Sequence, residues 1–261
     1  LANKRDKRTQ VYWGIRDFQH RFGRDPEGMW LPETAVDLET LEVLVEYGID
    51  YTILSPYQAS KVRETGKKEW RAADGGKVDP KKTYKCVLPS GKSINLFFYD
   101  GPIAQDISFG DLLGNGENFA KRLYGAFAKP SKSNDNQLVH IATDGETYGH
   151  HHSHGDMALA YCLYHIENND TADLTNYGEY LEMNPPKHEV KIVEESSWSC
   201  AHGVERWRSD CGCKMRGDWH QKWRKPLRQS LDWLRAELIV IYDQEAVKYL
   251  SEPWKARYEY I

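Results

Sequence analysis

The 261-residue chain has no apolar run near the roughly 18 residues that a membrane-crossing helix needs. Its longest apolar stretches, around Leu238–Tyr242 and Ala158–Leu163, are short and helically patterned, so no membrane partner is expected. A basic excess is also missing: the net charge is −4, which argues against a general nucleic-acid binder. Cysteine is sparse and odd in number, with Cys86, Cys162, Cys200, Cys211 and Cys213. That does not resemble a secreted disulfide framework, and a cytoplasmic location is expected. No internal repeat or low-complexity tract occurs. Aromatic residues are abundant instead: nine Trp, sixteen Tyr and seven Phe supply far more ring surface than disordered chains carry. The chain opens LANKRDKRTQ without Met or a signal core and closes KARYEYI without a helix stop signal. Both ends therefore read as cut, and a fragment of a longer chain is expected.

Along the chain, apolar periodicity predicts a helix over Arg8–Phe22, with Val11, Ile15, Phe18 and Phe22 on one stripe. GMWL (28–31) reads as a strand ending at Pro32. DLETLEVLVEY (37–47) reads as an amphipathic helix with Leu38, Leu41 and Val45 inward and Gly48 as its stop, and IDYTILS as a second buried strand. Strand, helix and strand in succession predict a βαβ unit with parallel strands. Lys61–Ser93 reads as a surface excursion of short strands, with PSGKS as a hairpin turn before the strand INLFFYD. Leu112–Phe127 reads as a helix, 129–137 as a polar loop, and LVHIAT (138–143) as a central strand. Asp156–Glu167, Trp219–Tyr242 and a shorter following stretch read as helices. Strands alternating with helices predict an α/β layer protein, specifically an incomplete barrel. Residues 1–184 are expected to form its catalytic portion, and 185–261 a helical, cysteine-bearing segment packed on it.

Active sites of parallel α/β sheets form at the carboxyl ends of strands. Glu33 and Asp144 both occupy such places, after GMWLP and LVHIAT. Two carboxyls there suit retaining glycoside chemistry, which needs them about 5–5.5 Å apart. Local structure offers another explanation for each: Glu33 as a first-turn acid behind Pro32, Asp144 as an Asp-Gly turn residue. GMWLPETA and ATDGETYGHH resemble two motifs of the family 57 glycoside hydrolases, α-glucan-acting enzymes built on an incomplete (β/α)7 barrel. The resemblance runs over nearly the whole chain, and SSWSCAHGVERWRSDCGC is similar to an uncharacterised bacterial branch of that family. It implies Glu33 as nucleophile, Asp144 as general acid/base and His150 as a sugar contact. It further implies an α-glucan or maltooligosaccharide substrate and no required cofactor. The family's His-rich first motif has no counterpart here.

His150, His151, His152 and His154, beside Asp144, Glu146 and Asp156, also have the composition of a Zn²⁺ site. The family's barrel type is shared with polysaccharide deacetylases, so a metal-dependent deacetylase-like hydrolase is an alternative, as is a non-catalytic glucan-binding protein. Cys200, His202, Cys211 and Cys213 form C-x-H-x8-C-x-C, the donor set of a structural zinc ion or an iron–sulfur cluster, or else a set of reduced thiols. Cys86 and Cys162 read as buried thiols. Trp30, Tyr148, Trp198 and Trp207 lie in or beside the motif segments, where indoles stack on sugar rings. Trp30, Glu146, His150, Trp198 and Trp207 are accordingly the substrate-binding candidates. Glu205, Arg206 and Asp210 are further polar contacts, whereas Trp13, Trp233 and Trp254 read as core or helix-packing residues. The basic stretch Arg206–Arg228 carries no groove-reading motif and reads as a solvated helical face.

Overall fold

The computed structural model describes residues 2–127, 136–169, 171–214 and 216–260. Val11 and Ile15 form the buried stripe of the first helix, α1 (Lys4–Phe22). Asn3 caps it by accepting from the Asp6 amide, and Gly23 ends it in left-handed backbone at φ 65°. The stripe closes earlier than its pattern predicts, because Phe22 is 63% exposed. α1 packs on α2 (Leu38–Glu46), whose Leu41, Val43 and Leu44 are fully buried. Asp37 caps α2 and also receives Lys7, a buried lysine whose Nζ reaches both Asp37 and Glu39. These two helices fold with the chain's last part as one compact unit: Leu1–Pro26, Leu31–Ile49 and Glu194–Ile261.

The other unit is Glu27–Trp30 with Asp50–Val193. Its described strands are β1 (Tyr51–Leu54), β2 (Ala59–Glu64), β3 (Arg71–Ala72), β4 (Thr83–Val87), β5 (Ser93–Phe98) and β6 (His188–Ile192). They make one mixed sheet in the order β1-β5-β4-β6-β2-β3. β1–β5 and β4–β6 are parallel, and the other pairs antiparallel. β4 and β5 are the hairpin predicted around PSGKS, closed by the Leu88 amide on the Lys92 carbonyl at 2.9 Å. Three sequence expectations change. GMWL is not a strand: it contributes one parallel bridge, Gly28 to Tyr51, with Met29 donating to the Tyr51 carbonyl. LVHIAT joins no ladder either; it is irregular chain that takes part in single bonds, Leu138 N–H to Lys81 O and Asp100 N–H to His140 O. KHEVKI, placed by sequence in the helical segment, contains β6.

The sheet unit also holds α3 (Gly101–Phe109), α4 (Gly116–Tyr124), α5 (Gly155–Glu167) and α6 (Tyr177–Met183). The helix predicted over Leu112–Phe127 is broken at Asn115, which takes extended backbone and caps α4 through the Asn118 amide. α4 and α5 meet closely at Gly116, where a Cβ would stand 2.7 Å from the Ala158 carbonyl oxygen. Ile103, Ile107, Phe119, Ala158, Cys162 and Ile166 form the core between α3, α4 and α5. Of the polar loop predicted over 129–137, residues 129–135 lie outside the described residues.

The first unit is completed by α7 (Glu205–Arg208), α8 (Arg224–Glu245) and α9 (Pro253–Tyr258). Trp13 donates its indole N–H to the Tyr258 carbonyl, tying α1 to α9, and Trp254 packs between Arg5 and Tyr242. Both are helix-packing residues as expected. Trp233 is not: it stands 64% exposed on α8, a helix with no buried residue. No described helix is long and apolar enough to cross a membrane.

Candidate active site

Pro32–Thr34 is a single 3-10 turn, but Glu33 inside it has φ 56° and Thr34 φ 51°. Two successive non-glycine residues in left-handed backbone are rare, and such strain persists only where neighbours hold it. The neighbours here are on 195–204. The Trp198 amide donates to the Glu33 carbonyl at 3.1 Å and to Thr34 Oγ1 at 3.0 Å. Thr34 Oγ1 in turn donates to the Glu33 carbonyl at 2.7 Å. The Trp198 indole N–H then reaches Glu33 Oε2 at 3.1 Å. Glu33 does sit in the first turn of this short 3-10 helix behind Pro32, but its own backbone is non-helical, and its exposed carboxylate accepts a bond from the Trp198 indole. Thr34 has no sequence signal for this part; only a partner 164 residues away reveals it. Val36 and Ser196 add an antiparallel bridge beside the turn.

Asp144 lies in the sheet unit, at the N-cap of the 3-10 turn Gly145–Thr147. Its carbonyl accepts from the Thr147 amide, while its side chain makes no capping bond and is exposed. The carboxyl is therefore not consumed by the Asp-Gly turn. Tyr148 receives the Thr143 hydroxyl at 3.2 Å. The Glu146 carbonyl accepts from the amides of His150 and His151, whose exposed rings stand edge-on at 4.9 Å. His152 is taken up by the Ser108 carbonyl, and His154 has φ 65° at the start of α5. Among the described residues, these histidines and carboxylates do not gather three donors closely enough to share one metal ion, whereas Cys200, His202, Cys211 and Cys213 do.

Trp30 is 40% exposed in the sheet unit, and Trp207 is exposed on α7. Glu205 is occupied by Ser209 and Arg208, and Arg208 also clamps Glu195. Those bonds hold both glutamates below the usual carboxylate range. Arg206 donates to the Ser199 carbonyl, and Asp210 accepts from the Gly212 amide, so both serve the local loop. Cys86 and Cys162 are buried as expected, and burial pushes the Cys162 thiol up to about 11.

The profile of glycosyl hydrolase family 57 matches residues 1–193, and that of a domain of unknown function, DUF3536, matches residues 219–261. No functionally curated protein matches the chain. Among solved structures, it is similar to the exo-type maltose-forming amylase from Pyrococcus sp. ST04, with a TM-score of 0.72 at 15% identity over 99% of this chain and 48% of that one. The GH57-type branching enzyme from Pyrococcus horikoshii gives a TM-score of 0.60 at 17% identity, over 78% of this chain and 46% of that one. The 4-alpha-glucanotransferase from Thermococcus litoralis gives 0.58 at 21% identity, over 80% and 30%. Likeness at such identities shows the fold, and the chain spans less than half the length of each of these structures.

Proposed function

Because the chain belongs to glycosyl hydrolase family 57 and has the fold of its structures, we propose that it is the catalytic part of an enzyme that transfers glycosyl groups of α-1,4-glucans with retention. In this reading Glu33 attacks the anomeric carbon while Asp144 gives its proton to the leaving glycosidic oxygen. The resulting glycosyl-enzyme ester is then opened by an acceptor hydroxyl that loses its proton to Asp144. Water as acceptor makes the reaction hydrolysis, and a second glucan makes it transfer. The arrangement at Glu33 carries the proposal: an exposed carboxylate lifted on left-handed backbone and oriented by the Trp198 indole. An acid serving only to start a helix needs neither. Asp144 supports it, since its side chain is left out of its own turn. Trp30, Trp198 and Trp207 are proposed sugar platforms, with Glu146 and His150 as hydroxyl partners. The chemistry is assigned to residues 1–184, with 185–261 in a supporting role. The amylase, branching enzyme and glucanotransferase that share the fold favour an α-glucan substrate. Free cysteines among the described residues suit a reducing cytoplasm.

Product analysis on amylose and maltooligosaccharides tests this, using the full-length protein and its Glu33→Gln and Asp144→Asn variants. Glu33→Gln should abolish turnover while glucan binding persists, and Asp144→Asn should lower kcat about 10²–10⁴-fold. Wild-type rates preserved in Glu33→Gln would sink the mechanism. Binding without turnover in the wild type would instead indicate a non-catalytic glucan binder.

A further inference from the structure

The four donor atoms of Cys200, His202, Cys211 and Cys213 lie within 4.8 Å of one another. Cys200 Sγ stands 3.6 Å from Cys213 Sγ and 3.9 Å from Cys211 Sγ. His202 Nδ1 is 3.5 Å from both Cys200 Sγ and Cys213 Sγ. A tetrahedral zinc ion, with Zn–S near 2.3 Å and Zn–N near 2.0–2.1 Å, requires edges of about 3.8 Å between sulfurs and about 3.5 Å between sulfur and nitrogen. The three pairs around Cys200 and the His202–Cys213 pair match those edges, and the two remaining pairs lie within 4.8 Å. An iron–sulfur cluster would spread its ligands over several irons, whereas these surround one point.

The backbone is built for the same end. Gly212, between two of the cysteines, has φ 85°, which lets both flanking thiols turn to one side. The His202 amide points at Cys200 Sγ at 3.4 Å. Gly203 has φ 59°, and a Cβ there would stand 2.1 Å from the Glu195 carbonyl oxygen. The Val204 amide donates to that same carbonyl, closing the loop 195–204 on itself. Cys200 is two residues from Trp198, so the ion would anchor the loop that holds Glu33.

We propose that Cys200, His202, Cys211 and Cys213 form a Cys₃His structural zinc site that fixes the 195–204 loop and, through Trp198, positions Glu33. The positioning half rests on Glu33 acting as proposed above; the metal half does not. Elemental analysis of the purified full-length protein should find one zinc per chain. Zinc should be lost in the Cys211→Ser/Cys213→Ser double variant and kept in Cys86→Ala/Cys162→Ala. Cobalt substitution should give the intense visible absorption of a tetrahedral thiolate site. Stripping zinc with a chelator should change the near-ultraviolet circular dichroism of tryptophan, and that change should be much smaller in Trp198→Phe. Protein free of bound metal, or holding iron instead, overturns the zinc site. Zinc loss that leaves the Trp198-dependent signal unchanged overturns the positioning role. Neither readout uses turnover, so an inactive protein with one zinc would refute the catalytic reading and leave this site standing.

Discussion

Replacing His140 should make the protein less stable at neutral pH and less sensitive to acid. The ring is buried, with Nε2 3.1 Å from the Pro80 carbonyl oxygen and Nδ1 3.0 Å from the Tyr177 hydroxyl. A carbonyl only accepts, so the network assigns the proton to Nε2 and leaves Nδ1 to accept from Tyr177. Both nitrogens are thus satisfied in the neutral ring, and Phe97 and Tyr177 stand edge-on to it. Burial pushes the pKa down to about 4, against smaller upward pulls from the backbone of Pro80 and Phe98. The unfolded ring titrates near 6.5. Between these values the unfolded chain binds the extra proton. The stabilisation is therefore fully present above pH 6.5 and is lost as the pH falls toward 4. The difference of about 2.5 pKa units corresponds to about 3 kcal/mol, of which about 2 kcal/mol is gone by pH 5.

The assay is urea unfolding of wild type and His140→Gln at several pH values from 7.5 to 4.5, followed by far-ultraviolet circular dichroism. At pH 7.5 the variant should be less stable by about 1–3 kcal/mol, since one buried bond loses its partner. By pH 5 that gap should shrink by about 2 kcal/mol, or reverse. Carboxylates titrate in both proteins and cancel in the difference. Parallel stability profiles would refute the reasoning, because they would mean that the buried ring charges without cost.

Asp37→Ala removes the cap of α2 and leaves Lys7 buried with only the exposed Glu39 carboxylate, so a loss of about 3 kcal/mol is expected in thermal or urea unfolding. Burial tends to raise the Asp37 pKa, yet the bonds from Lys7 and Thr40 outweigh it and hold the carboxyl below its usual range. The wild-type advantage over Asp37→Ala should therefore persist at pH 5 and fade only as the pH falls below the normal aspartate value. Phe119→Ala empties the middle of the α3–α4–α5 core and should cost about 3–5 kcal/mol, read as a lowered urea midpoint.

The elements legible in the sequence are those whose signal is local. α1, α2, α5 and α8 announce themselves by apolar spacing, and the β4–β5 hairpin by its Pro-Ser-Gly turn. GMWL and LVHIAT misled because a continuous apolar run reports burial, whereas a strand also requires a partner along its length. Leu138 and His140 are indeed buried, but their segment is held by isolated bonds to Lys81 and Asp100. β6 was overlooked for the converse reason: HEVKI is short and polar, and its strand character comes from pairing with β2 and β4. At the site, motif resemblance singled out Glu33 and Asp144. The C-x-H-x8-C-x-C spacing also singled out the four donors that the structure brings together, whereas nothing local could show that Trp198 would meet Glu33.

The strain at Glu33 bears on what the loop 195–204 must be. Two non-glycine residues in left-handed backbone cost about 1–3 kcal/mol each. The bonds from Trp198 to the turn contribute about 1 kcal/mol each, which offsets that cost only if they are made continuously. A mobile loop would have to be ordered first, at about 1–2 kcal/mol per residue, and the turn would relax instead. The left-handed backbone at Glu33 is therefore favoured by a partner segment that is already ordered. Ser196 supplies part of that rigidity by bridging Val36 in both directions, and Arg206 adds a bond to the Ser199 carbonyl. The cysteine-bearing tip beyond Trp198 is the remaining end of the same segment. Fixing it would keep the indole on the carboxylate without adding any group that touches the sugar.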